Sequence, residues 1–312
     1  MQAVAIADPL GALAPLMRVV PELESLCRFG AQWAARHEAE PEGWIPFHIV
    51  TRGACAIELV GRGRVLALGA GDIAVLPRPI PHIVRSPPAA AGGAAAPIRT
   101  LDGGPIRIKT NTAGEPETEL ICGRLRFETA GENLLRAALP DAIVVATADG
   151  PDAARLYRIV SAMKDELTAD RPGARVIATD LASALLMMVV RVHLERGEPD
   201  GGLLRLLGHR QAARPVQAML ADPARPWTLD ELAARALVSR ASLVRLFRRL
   251  AGMAPLEFLS ELRLELARGR LVAGAPVAEI AAEVGYRSES AFSRAFQRRF
   301  GRRPGELRAG RD

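Results

Sequence analysis

The segment ELAARALVSRASLVRLFRRLAGMAPLEFL at 231–259 returns, with one residue inserted, as EIAAEVGYRSESAFSRAFQRRFGRRPGEL at 279–307. The offset is 48 residues at Glu231/Glu279 and 49 at Phe247/Phe296, Gly252/Gly301 and Pro255/Pro304. A repeat of fixed period constrains the fold strongly, because each copy has to be one supersecondary unit.

Local signals define that unit as a helix-turn-helix. In the first copy Thr228 is placed to cap a helix, and Glu231 three residues later completes a capping box. Leu229, Leu232, Ala233 and Ala236 share the buried face. A tight turn at Leu237–Val238 follows, and Ser239 caps a second helix with Leu243, Leu246, Phe247 and Leu250 inward. In the second copy Pro276 suits a first helical turn, Gly285 a left-handed stop, and Ser288 the next cap. There Phe292, Phe296 and Phe300 face inward. Subtraction leaves Arg240, Ala241, Val244, Arg245 and Arg248 outward on one copy. On the other it leaves Ser288, Glu289, Ser290, Ser293, Arg294, Gln297 and Arg298. Arginine, serine and glutamine are side chains suited to phosphates and base edges. Between the copies, PLEFLSELRLELARGRLVAG reads as one helix of about 18 residues, roughly 27 Å long. That length is close to the ~34 Å between successive major grooves on one face of B-DNA.

Charge agrees with a polyanionic partner. From residue 207 onward there are 19 arginines against 11 carboxylates, a surplus of eight positive charges in a chain whose net charge is +6. The rest is therefore near neutral, and the basic character is confined to the last third. Three cysteines (Cys27, Cys55, Cys122) are too few for a disulfide framework, which points to a reducing cytoplasm. The longest apolar run, LASALLMMVV at 181–190, is half of what a membrane span requires, and the first residues lack the basic start of a signal peptide.

At EIAAEVGY, SAFSRAFQRRFG and RPGELR the sequence resembles the AraC/XylS family of bacterial transcription regulators, over about residues 210–309. The resemblance implies a double helix-turn-helix module (207–312) bound to double-stranded DNA, with RNA polymerase as a partner if the protein is an activator. Ala241 and Arg245 fall where that family's first reading helix meets bases, and Arg294 falls at the matching place in the second. Alanine offers only a thymine-methyl contact.

Ahead of that module, residues 44–130 consist of short apolar runs broken by Gly, Pro and Asn, the pattern of a sandwich or barrel. PPAAAGGAAAP at 87–97 reads as a surface loop. Residues 1–130 are assigned to a sensor domain. Residues 131–206 form a helical linker or dimerisation segment, with helices after Asp152 and from Ala174 to Glu195. FHIVTRGACAIEL, GDIAVLPRPIPHIV and ELICGRLRFETAGENLLRAALPDAIVV resemble the cupin sensor domain of one branch of the same family. The expected fold is thus mixed: a cupin-like β-barrel, a helical segment, and an all-α double helix-turn-helix.

Gly71, Pro77 and His82 keep the spacing of a cupin's second metal motif, with Pro79 in place of the usual glycine. The first motif is missing, because HEAEPEGWIP offers His37, Glu38, Glu40 and Glu42 out of register. A reduced site of His48, His82 and Cys122 would suit zinc if the barrel joins them. The alternative is that each is an ordinary hydrogen-bonded core residue. Cys27 and Cys55 are the alternative candidates, for oxidant sensing. No nucleophile elbow, phosphate loop or dinucleotide fingerprint occurs. The leading expectation is a cytoplasmic transcription regulator controlled by a small molecule or chemical stress, either monomeric or a homodimer. The competing one is a metal-dependent cupin enzyme fused to a DNA-binding domain.

Overall fold

A computed structural model of the chain describes residues 19–30, 32–41, 43–87, 95–102, 106–127, 139–146, 152–169, 171–195, 202–272 and 274–309. The expected loop at 87–97 lies mostly outside these residues, as does the N-terminal stretch. Two compact units emerge, one built on 19–127 and 140–196 and the other containing 197–312.

The first unit holds eleven strands among the described residues: β1 (Val19–Phe29), β2 (Ala34–His37), β3 (Trp44–Arg52), β4 (Ala54–Leu59), β5 (Arg64–Gly69), β6 (Ile73–Val75), β7 (His82–Arg85), β8 (Arg99–Leu101), β9 (Arg107–Thr110), β10 (Thr118–Phe127) and β11 (Ile143–Val145). They form a seven-stranded sheet ordered β11-β6-β3-β10-β1-β9-β8 and a four-stranded sheet ordered β2-β7-β4-β5. The β-structure therefore begins before residue 44, with two strands whose polar and charged residues hide the alternation. In β1, Glu22, Glu24 and Arg28 interrupt the apolar positions.

Because side chains alternate along a strand, each long strand of the larger sheet shows two characters. Val50, Leu120, Cys122, Cys27 and Ala74 point inward and meet Ile57, Leu59, Leu68 and Val84 of the smaller sheet in one core. Ile45, Phe47, Ile49 and Ile121 are buried on the opposite face. Helices α1 (Ala153–Thr168) and α2 (Ala174–Glu195) belong to this unit and pack against each other, with α1 on β3 and α2 on β1 and β11. Leu156, Val160, Met163 and Leu167 form the buried stripe of α1, as the helical period predicts. Gly123 lets Phe47 lie flat on β10: a Cβ there would stand 2.5 Å from the Glu22 carbonyl oxygen and 2.7 Å from the Phe47 ring. Over Ala174–His193, α2 is long and apolar enough to cross a membrane, more than the run at 181–190 suggests. Here its Ala178, Ala182, Leu185, Leu186 and Val189 are buried.

The second unit is helical: α3 (Gly202–Gly208), α4 (Ala213–Ala221), α5 (Leu229–Ala236), α6 (Arg240–Ala251), α7 (Pro255–Val272), α8 (Val277–Glu283), α9 (Glu289–Phe300) and α10 (Pro304–Ala309). The two copies of the repeat are α5–α6 and α8–α9. The connecting helix α7 has the 18 residues expected and touches α6, α8, α9 and α10. Its Leu264, Ala267 and Leu271 pack with Ile280, Ala281, Val284, Phe292 and Phe296 in one cluster.

Candidate functional site

The second helix of each repeat copy, α6 and α9, starts at a serine whose side chain satisfies a backbone N–H that the helix itself leaves unpaired. Ser239 Oγ accepts from the Ser242 amide at 3.2 Å, and Ser288 Oγ accepts from the Ala291 amide at 3.2 Å. The preceding helix α5 has the full capping box, with Thr228 accepting from the Glu231 amide and Glu231 accepting from that of Thr228. Those bonds, above all the one from the Thr228 amide, hold the Glu231 carboxyl down at about 2. Leu237 closes the turn in the left-handed conformation (φ 56°) without a glycine and stays exposed. Pro276 is the cap of α8, one residue earlier than the sequence indicates. Gly285 takes the left-handed position behind that helix (φ 82°).

The faces divide as the apolar period requires. Leu243, Leu246 and Phe247 are buried on α6, as are Phe292 and Phe296 on α9. Leu229, Leu250 and Phe300 are only half-buried. Outward on the first copy stand Arg240, Ala241, Arg245 and Arg248. On the second, Ser288, Glu289, Ser290, Arg294, Gln297 and Arg298 are exposed and Ser293 half-buried.

The arginines are not equivalent. Arg240 is paired with Asp230 at 3.1 Å, and Arg245 donates to Ser242 Oγ at 3.2 Å. Among the described residues Arg248, Arg294 and Arg298 face no carboxylate within salt-bridge distance. Arg299, one residue from Arg298, turns back onto α7 and pairs with Glu261 and with the buried Glu265. It braces the second copy and leaves the outward face to its neighbours.

Inside the barrel, the three residues singled out as donors do converge. His48 on β3 pairs across the larger sheet with Cys122 on β10, and its Nδ1 stands 3.2 Å from Cys122 Sγ. The other edge of the ring faces the smaller sheet, where His48 Nε2 lies 2.9 Å from His82 Nε2. Cys122 is therefore on the far side of the His48 imidazole from His82. A fourth residue, His37, completes the group on the smaller sheet: β2 pairs with β7, His37 sits opposite His82, and the two rings stack 4.7 Å apart. The sequence pointed away from His37 because it is out of register with the cupin motif. Only the β2–β7 pairing brings it in.

Burial keeps all three imidazoles neutral, pushing His37 to about 4, His48 well below its ordinary value, and His82 down as well. Behind His48, Cys122 Sγ lies 3.7 Å from Cys27 Sγ. The hydrogen bond with Cys27, together with burial, raises the Cys122 thiol well above its usual range, while Cys27 is lowered by the same bond. Lys109 on β9 supplies positive charge near this group, which the sequence around the cysteines does not reveal.

Comparison with known proteins agrees with both halves. Residues 8–195 match the protein family described as Cupin, and residues 232–310 match one described as a helix-turn-helix domain. The chain is 36% identical, over 96% of its length and 98% of theirs, to AraC-like transcription regulators of Streptomyces lividans and Streptomyces antibioticus. It is 28% identical, over 96% of its length and 97% of the relative's, to the RCS-specific transcriptional activator RclR of Escherichia coli.

Proposed function

The chain belongs to the AraC-like transcription regulators with an N-terminal cupin domain, and from that premise we propose how its parts divide the work. Helices α6 and α9 read duplex DNA. The barrel receives a small molecule or chemical stress, and the response is carried out in the cytoplasm, where promoter DNA is met. One relative is named an activator. The same action here would make RNA polymerase a partner. The exposed Tyr157, Val176 and Ile177 on α1 and α2 suit these helices to pairing with a second copy.

The observation that carries the DNA reading is the duplicated face. Two serine-capped helices bury phenylalanines on one side and present exposed arginines on the other. Arg245 is the candidate for base contact in the first copy and Arg294 in the second. Arg248 and Arg298 are candidates for phosphate. Ser288, Glu289, Ser290, Ser293 and Gln297 line the second face, while Arg240, neutralised by Asp230, contributes less at rest.

The enzyme reading has less support. The relatives are named as regulators, and the first cupin motif is absent from the sequence.

Mapping of chromosomal binding followed by footprinting on the recovered sites tests the assignment. Arg245→Ala should cost about 1–3 kcal/mol on cognate sites and relax preference at one base position. An unchanged footprint and affinity would remove Arg245 from the interface.

A further inference from the structure

The two histidines that bridge the sheets pose a hydrogen-bonding problem. His82 Nδ1 faces the Ile80 carbonyl at 3.4 Å, and a carbonyl can only accept, so the proton belongs on Nδ1. His82 Nε2 then carries a lone pair, and it points at His48 Nε2 only 2.9 Å away. Two lone pairs cannot face each other at that distance in a site where both side chains are 1% exposed. Something positive has to lie between them, either a proton on His48 Nε2 or a metal ion.

A proton alone would make a linear relay, from the Cys122 thiol through His48 to His82 and on to the Ile80 carbonyl. That relay gives His37 no part. Yet His37 is stacked on His82, and the ligand atoms of His37, His48 and His82 all lie within 4.8 Å of one another. We propose that these three histidines form a binding site for a divalent late first-row metal ion, with zinc as the species the donor set suits best.

The chemistry of the donors supports this. All three ligands are neutral imidazoles, which suit zinc, copper and nickel, and a three-histidine zinc site keeps a fourth position open. On a tetrahedral zinc with Zn–N of about 2.0–2.1 Å, neighbouring nitrogens stand roughly 3.3–3.4 Å apart. The His48–His82 pair is already slightly closer than that. His37, half-exposed on the short strand β2, supplies the third ligand atom within 4.8 Å of that pair.

The same geometry assigns Cys122 a different role from the one its chemistry first suggests. The nitrogens of one imidazole point away from each other, so a metal on His48 Nε2 is out of reach of a sulfur on Nδ1. Cys122 is a positioning residue: it takes or gives the hydrogen bond that fixes the His48 ring and its tautomer, as partners behind metal-binding histidines do. Lys109 opposes binding, because the positive charge that bears on His37 and His48 would also bear on a dication.

The proposal deepens the sensing role given to the barrel, but the binding can be measured without DNA. The full-length chain is stripped with chelator and titrated with Zn²⁺ against a chromophoric competitor, then with Co²⁺ for its visible spectrum. One metal per chain is expected, with the d–d bands of four-coordinate cobalt and no thiolate-to-metal band. His37→Ala and His82→Ala should abolish the cobalt spectrum. Cys122→Ser should weaken affinity by about 10-fold without changing the spectrum's form. Lys109→Gln should tighten binding.

Failure of the unsubstituted chain to compete with the chelator would overturn the site, with no variant needing to fold. An intense thiolate band lost in Cys122→Ser would overturn the three-histidine assignment in favour of a sulfur ligand. Far-UV circular dichroism and gel-shift affinity of each variant report folding and the DNA reading separately. A chain that binds DNA but no metal therefore refutes only this proposal.

Discussion

The carbonyl oxygen of Ala224 occupies the space where a side chain on Gly285 would begin, 2.3 Å from a Cβ built there. Ala224 precedes the first helix-turn-helix and Gly285 lies in the turn of the second, so this contact joins the copies by backbone. Gly285 also has φ 82°, which disfavours any L side chain.

Gly285→Ala should therefore be costly twice over. The left-handed conformation alone is worth about 1–2 kcal/mol, and the collision with backbone adds to it. In a helical unit of this size each kcal/mol moves the midpoint by roughly 4–8 °C. A calorimetric transition for the C-terminal unit within a degree of the parent would show that the turn can move away and that the contact is dispensable.

Arg263 on α7 secures the same joint from the other side. Its Nε donates to the Pro223 carbonyl at 2.7 Å and its Nη2 to those of Ala224 and Arg225 at 3.2 and 2.8 Å. A planar guanidinium can serve three fixed carbonyls where an ammonium cannot. Arg263→Lys should thus destabilise the unit by about 1–3 kcal/mol. DNA affinity should fall by more than folding alone explains, because the copies lose their fixed relation. Denaturant unfolding and gel shifts at a temperature where the variant is fully folded separate the two effects.

Glu231 gives a titration with a definite sign. Its carboxyl is held at about 2 in the folded chain against an ordinary 4.5, chiefly by the Thr228 amide. A depressed carboxyl stabilises above its unfolded pKa, and that contribution fades as pH falls from about 4.5 toward 2. Side-chain carbon NMR should place the Glu231 midpoint near 2 and raise it only part of the way in Thr228→Ala, which loses the hydroxyl bond but keeps the backbone amide and Arg225; the lost cap should also cost about 1 kcal/mol at neutral pH. A parent midpoint near 4.5 would mean that the box does not persist in solution.

What could be read without coordinates follows from the range of the forces involved. Thr228, Ser239 and Ser288 announce helix starts because a cap acts within three residues, and α2 runs over Ala174–Glu195 as its apolar period indicates. The inward phenylalanines of α9 are equally local. The barrel's inner group is different. Cys27 meets Cys122, and His37 meets His82, through strand pairings across 95 and 45 residues, which no local pattern encodes. β1 and β2 themselves escape notice because charged residues break their alternation. The sequence cannot separate Arg298 from Arg299 either. Only the position of Glu261 and Glu265 on α7 shows that one is a brace and the other is free.

That distinction makes the last prediction a comparison. An arginine that neutralises a phosphate releases a condensed counterion, so each one contributes about 0.9 to the slope of log affinity against log salt on duplex DNA. Arg298→Ala should flatten that slope by about 0.9, weaken binding to all sequences alike, and leave the unfolding transition in place. Arg299→Ala should do the reverse, since it takes one ion pair from the buried Glu265, which keeps Arg268, and removes the tie of α9 to Glu261 and Glu265 on α7. Its unfolding midpoint should drop, and its salt slope at a temperature where it is folded should match the parent. Equal slopes for parent and Arg298→Ala, measured on specific and random duplexes, would take Arg298 off the DNA. A flattened slope in Arg299→Ala would mean that the ion pair with Glu261 opens on binding, and that the brace is also a contact.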